Sequence, residues 1–211
     1  MNRLFIAALT LALGLGPTLA QVNYVPQFGV TSGYLAKATY SSGFFGLVTA
    51  SSATDVLCIT GSASKIVRLV EIKIGGSGTA ITLPVTLVRR ATPDSGGTAA
   101  TTTANPGVVT QIASRDTGQS PNTSASATLI SYTANPTIND SAPVYLDSHA
   151  LSLAAATAAG SGIVDFNYGL WNNDNIQPPT LRGTSQQICV NFNSTTITSP
   201  LITGVVTWTE E

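Results

Sequence analysis

Beyond residue 20 the apolar residues recur at every second position in short runs. No stretch there carries the 3.6-residue spacing of a three-turn helix. Ile188, Val190 and Phe192 alternate with Cys189 and Asn191, and Ile202, Val206 and Trp208 alternate with Thr203, Val205, Thr207 and Thr209. Further strand-like runs cover 55–60, 65–74, 81–88, 128–132, 144–146, 151–153 and 162–169, separated by Gly, Pro, Asn and Ser. In the 65–74 run, Ile66, Val70, Ile72 and Ile74 fall on one face together with Arg68. Gly75-Gly76-Ser77-Gly78 then reads as a turn, and 81–88 as the return strand of a hairpin. Pro84 donates no backbone hydrogen bond, so it predicts an edge position or a bulge in that strand. Eight or so short strands predict an all-β, antiparallel two-sheet sandwich of jelly-roll type. No repeat of 20–50 residues argues for a solenoid or propeller.

The organisation expected is one domain with additions. Residues 1–20 pair Arg3 with an apolar run from Leu4 to Leu15 and a small-residue exit, Thr18-Leu19-Ala20. That is the pattern of a cleaved export signal, and the run is shorter than the ~20 residues of a membrane span. A retained packing arm is the competing reading. Residues 21–50 are rich in aromatic residues and broken by glycines. They read as an extended arm whose Tyr24, Phe28, Tyr34, Phe44 and Phe45 need a surface to bury against. The sandwich is expected over 51–211, with a long Thr/Ser/Ala-rich loop region at 91–127.

Charged residues make up 9% of the chain, well below an average of about 25%. Hydroxyls and amides therefore solubilise the surface, a composition suited to extracellular or assembled β proteins. The only adjacent basic pair is Arg89-Arg90, so neither nucleic acid nor an anionic membrane is indicated as a partner. Without residues 1–20 no stable membrane span is expected. Cys58 and Cys189 both lie in strand-like surroundings. In an exported chain they suggest one disulfide; two buried thiols are the alternative.

Little else in the sequence carries chemistry. His149, the single histidine, follows Asp147-Ser148 and reads as a loop residue at a strand end, not a metal ligand. The G-x-S-x-G elbow of a hydrolase is absent. The acids show no pair that spacing alone would single out, although Glu71 and Lys73 look like a solvated strand face. Gly75-Gly76-Ser77-Gly78 lacks the Lys and the helix of a phosphate loop. Trp171, Asn173 and Asp174 form the one local curiosity, an Asn-rich segment beside a ring that stacks on a sugar or packs at a contact. No cofactor, metal or catalytic residue is expected.

Three segments together resemble a family. They are Ala53-Thr54-Asp55-Val56-Leu57-Cys58-Ile59-Thr60-Gly61-Ser62-Ala63-Ser64-Lys65; Val85-Thr86-Leu87-Val88-Arg89-Arg90-Ala91-Thr92 with Ser95-Gly96-Gly97-Thr98; and Leu181-Arg182-Gly183-Thr184-Ser185 with Val190-Asn191 and the closing Trp208-Thr209-Glu210-Glu211. Over residues 50–211 the chain resembles poorly characterised tailed-phage virion-associated β-sandwich proteins and their metagenomic relatives. The resemblance implies a non-enzymatic virion component and no catalytic residues. The leader departs from that pattern and points to a secreted or cell-surface location instead. The expected function is thus a structural, assembly-forming protein of a virion or surface array, working as a homo-oligomer or with other structural subunits. An exported carbohydrate-binding or adhesive module, with a glycan as partner, is the alternative.

Overall fold

The structure is a computed structural model that describes residues 37–100, 112–115, 125–155, 161–169 and 177–211. Its strands form two sheets, and every pairing between named strands is antiparallel. In sheet A, β1 (Ala38–Leu47) lies beside β12 (Leu201–Glu210), and β12 beside β3 (Ile66–Ser77). The short β6 (Ala113–Ser114) flanks β1. The far edge of β3 is shared by β10 (Thr180–Arg182), opposite Ile66 to Arg68, and β9 (Val164–Asn167), opposite Glu71 to Ile74. Sheet B runs in the order β5 (Thr98–Ala99), β7 (Thr128–Ser131), β2 (Ser52–Thr60), β11 (Gln187–Thr196), β4 (Ile81–Arg90) and β8 (Val144–Leu153).

The inner faces bury one core. Trp208 stacks on Tyr40 with ring centroids 5.9 Å apart, and Phe44, Phe166, Phe192, Leu47 and Leu57 pack into the same cluster. Each such large side chain contributes about 1.5–3 kcal/mol by leaving water. The alternation in β12 therefore reads as expected, with Ile202, Val206 and Trp208 all fully buried. Gly204 interrupts that face for a reason of space. A Cβ there would stand 2.0 Å from the Lys73 carbonyl oxygen and 2.5 Å from the Phe44 ring.

Four local expectations are corrected. First, β3 and β4 do not form a hairpin, because β3 pairs within sheet A and β4 within sheet B. The glycine-rich turn carries the chain across the sandwich. Second, the inward residues of β3 are Val67, Leu69, Ile72 and Ile74, not Ile66 and Val70. The register against β12 skips Val70, between Trp208↔Leu69 and Thr207↔Glu71, and this bulge reverses the alternation. Third, Pro84 lies on an interior strand, but β11 pairs only with Thr86 to Arg90. Pro84 therefore has a ladder neighbour on one side alone, which removes the cost of its missing N–H. Fourth, 144–146 and 151–153 are one continuous strand, so His149 is a strand residue of β8, set edge-on against Phe166 at 4.8 Å.

The lead-in also differs. Residues 38–47 are not an arm but a full strand of sheet A, beginning at Ala38 in register with Glu210 of β12 and ending at Leu47 opposite Ile202. Phe44 is core, whereas Phe45 is 75% exposed. Tyr24, Phe28 and Tyr34 lie outside the described residues. Of the 91–127 region, residues 91–97 fold over the outer face of sheet B, Thr98–Ala99 is its edge strand β5, and Ala113–Ser114 pairs with β1.

Candidate functional site

The densest buried polar chemistry lies between the outer face of sheet B and this cover. Cys58 of β2 and Cys189 of β11 are directly opposite in the register, and they are joined as a disulfide. Val56 has no counterpart on β11, so Asp55 pairs with Asn191 just past the bulge. Arg90 of β4 pairs with Gln187 of β11. Four polar side chains thus surround the disulfide on three adjacent strands.

The cover is held by its own bonds. Ser95 and Thr137 exchange backbone hydrogen bonds of 3.2 and 3.1 Å. The Asn139 amide donates to the Pro93 carbonyl at 2.8 Å, and the Asp140 carboxylate accepts from the Ala91 and Ala142 N–H groups. Those two N–H groups hold the Asp140 carboxyl below its usual range. Gly97 is required by contact, since a Cβ there would come within 2.3 Å of Ile130 and 2.6 Å of Tyr132. Beneath the cover, Tyr132, Cys58 and Cys189 form a small second cluster with Ile130.

The ionic centre comprises one cation and two acids. The Arg90 Nε–H donates to Asp55, and Asp94 Oδ2 stands 3.2 Å from the same nitrogen. Asn191 donates its amide to the other Asp55 oxygen. The Asp94 N–H donates to Gln187 Oε1 at 2.9 Å, and Gln187 Nε2 donates to Thr60. The side chains of Arg90, Asp55 and Asp94 are 3%, 0% and 0% exposed. Burial disfavours the Arg90 charge, but the hydrogen bond and charge of Asp55 more than offset it and hold the guanidinium above its ordinary value. Two carboxylates against one guanidinium would leave a net negative charge in this space. Burial first, then the bond and charge of Asp55, push Asp94 up to about 7. Neither Asp94 carboxyl oxygen has a hydrogen-bond partner of good geometry.

Ligand atoms of Asp55, Cys58, Asp94 and Cys189 all lie within 4.8 Å of one another. Distance alone would make this a metal cluster. Its donor chemistry does not fit in the oxidised protein, because both sulfurs are spent in the disulfide and Arg90 faces both carboxylates. The arrangement is a covalent and ionic staple across β2, β11 and β4.

A second buried acid anchors the other end of the chain. Glu210 accepts hydrogen bonds from the N–H groups of Ser126 and Ala127, the Ser126 hydroxyl and the Trp208 indole, and pairs with Lys65 at 3.2 Å. Burial opposes its charge, but these donors outweigh that and hold the carboxyl below its usual range.

Asp94 gives a signed pH prediction. Its folded value of about 7 exceeds its ordinary 3.8, so between these the folded state binds a proton that the unfolded chain has lost. The stabilisation from this group is full below about 4 and is lost as pH rises through about 7. An Asp94→Asn variant should remove that slope. The wild-type minus variant difference in unfolding free energy should fall by on the order of 3 kcal/mol from pH 4 to pH 8, measured by urea unfolding. A difference that stays flat across that range would show that Asp94 ionises freely.

Of the site residues expected from sequence, the structure brings Cys58 and Cys189 together, while Trp171, Asn173 and Asp174 lie outside the described residues. His149 Nε2 stands 3.4 Å from Asp147 Oδ1, and Tyr168 donates its hydroxyl to the other oxygen of Asp147, a contact between β8 and the end of β9. Glu71 and Lys73 do form a solvated pair, at 2.6 Å, with Asp165 at 3.7 Å from the same ammonium. The buried Asp55–Arg90–Asp94 centre was not anticipated. Its one visible signal was a charged residue, Asp55, three positions before Cys58 and directly before the apolar run Val56 to Ile59. No family model, curated protein or solved structure matches the chain.

Proposed function

We propose that this disulfide-stabilised all-β sandwich is a non-catalytic structural domain, an assembly protein whose copies associate through apolar residues left outside the core, as a component of a virion-type shell or a surface array. The distribution of exposed large apolar side chains carries this reading. Phe45, Val48, Ile163 and Leu201 are exposed at one end of sheet A, where Leu47 pairs with Ile202 and Leu201 with Ser77. Phe45 and Ile163 are 75% and 74% exposed. Val144, Tyr145 and Leu146 open the edge strand β8, whose residues from Val144 to Ala150 show almost no burial. Among the exposed large apolar side chains of the described residues, only Ile138 stands apart from these two groups. Apolar surface gathered in patches, and a long uncovered edge strand, are features that monomeric proteins suppress. Low overall charge removes the repulsion that would keep copies apart.

A photo-reactive amino acid placed at Phe45 or Tyr145 tests the reading. Irradiation of the purified protein should give covalent dimers from both positions and none from the exposed Thr82 of β4. Equal yields at all three positions, or none at any, would sink it. The alternative reading, an exported carbohydrate-binding module, draws support from a separate surface feature, the depression lined by Arg89 and Arg182.

A further inference from the structure

Most basic side chains in the described residues are engaged. Lys65 pairs with Glu210, Arg68 with Glu211, Lys73 with Glu71 and Asp165, and Arg90 with Asp55 and Asp94. Arg115 donates to the Thr207 hydroxyl, and Lys37 is not without an interaction either. Among the described residues, Arg89 and Arg182 are the two guanidiniums without a partner, and both line the same open depression of about 420 Å³.

That convergence follows from the fold. Arg89 continues the inward-facing set Leu83, Val85 and Leu87 of β4, but at the strand end, where the core gives way to solvent. Arg182 ends β10, which belongs to the opposite sheet. The depression therefore sits at the mouth of the sandwich, with one cation from each sheet. Gln177 and Gln186 add amide donors, and Pro178 and Pro179 add apolar faces, while the Thr180 hydroxyl is donated to the Pro178 carbonyl at 2.8 Å. Gln186 is held in place, since its Oε1 accepts from the Arg182 N–H at 3.0 Å and its backbone carbonyl accepts from Gly61. With Oε1 so engaged, its NH₂ group remains as a donor for the depression. The Gly183 φ of 83° permits the tight turn that brings these residues round.

We propose that this depression is a binding site for an oxyanion-bearing ligand: a carboxylate, sulfate or phosphate group clamped between Arg89 and Arg182, with Gln amide donors reading the adjoining atoms. Two guanidinium forks lining one depression suit a planar or tetrahedral oxyanion better than point charges would. The same chemistry could come from a free inorganic anion or from an acidic sugar, and the donors and prolines around the arginines favour the sugar.

Calorimetric titration of the full-length protein with inorganic phosphate, with a uronate oligosaccharide and with a neutral oligosaccharide of the same length separates these sources. The expected result is saturable binding of the uronate, weaker binding of phosphate and none of the neutral sugar. Both anions should lose at least tenfold in affinity in an Arg89→Gln/Arg182→Gln variant whose melting temperature is unchanged. Phosphate binding equal to or stronger than the uronate's would keep the anion site and overturn the sugar preference. No saturable binding of either anion, or affinities that survive the double substitution, would overturn the site itself. Cross-linking between copies is independent of this outcome.

Discussion

Replacing Arg90 with Met is expected to destabilise the domain by about 3–5 kcal/mol at pH 8, the range for breaking one member of a buried ion pair. The substitution keeps most of the side-chain volume and removes the only cation among the described residues that pairs with Asp55 and Asp94. Those carboxylates are fully buried, so water cannot replace the guanidinium. The loss should shrink towards pH 6, because Asp94, pushed up to about 7, then carries a proton and only one charge is left uncompensated. Adding Asp55→Asn and Asp94→Asn to Arg90→Met should recover much of the stability, since the uncompensated charges themselves are then gone. Urea unfolding at both pH values checks this through the midpoint at constant slope. An Arg90→Met midpoint within experimental error of wild type would mean that the cover opens and hydrates the acids.

The second large effect is loss of the disulfide. A Cys58→Ala/Cys189→Ala variant is expected to lose about 2–5 kcal/mol, with the chain-entropy model placing so long a loop near the top of that range. The bond spans 131 residues of sequence yet joins residues that are already register partners. It therefore restricts the unfolded chain greatly while asking little of the folded one. Adding a reductant should lower the melting temperature of the wild type and leave the double variant unmoved. Equal melting temperatures with and without reductant in the wild type would show that the two sulfurs are not bonded in solution.

Both effects lie in a layer that the sequence shows only in outline. The core was legible because burial of alternate residues on a sandwich face leaves a period of two, as in Ile202, Val206 and Trp208. Sheet membership was not, because a glycine turn looks the same whether it closes a hairpin or crosses between sheets. Hence β3 and β4 were misread as neighbours. The face of β3 was misread for a different reason: the bulge at Val70 exists only relative to β12, and a single strand carries no mark of it. The lead-in hid a strand because Gly43 and Gly46 break its pattern. Opposite Gly204 the Phe44 ring takes the space a side chain would need, and Gly46 adopts a φ of 71° at the bulge. The ionic staple escaped notice because it is assembled from β2, β4, β11 and the 91–97 cover, which only the fold brings together.

The same outward layer separates the two functional readings. Apolar residues at one end of sheet A and along β8 favour contacts between copies, whereas the arginine-lined mouth at β10 favours a small anionic ligand. These surfaces use different residues, so one protein can carry both.

The most direct test of the assembly reading is the solution mass of the purified full-length chain, followed by light scattering over a hundredfold range of concentration. The account predicts a mass that rises to a defined multiple of the monomer, and that falls back when Phe45 and Ile163 are both replaced by Ser with the melting temperature preserved. A monomer at every concentration would contradict it.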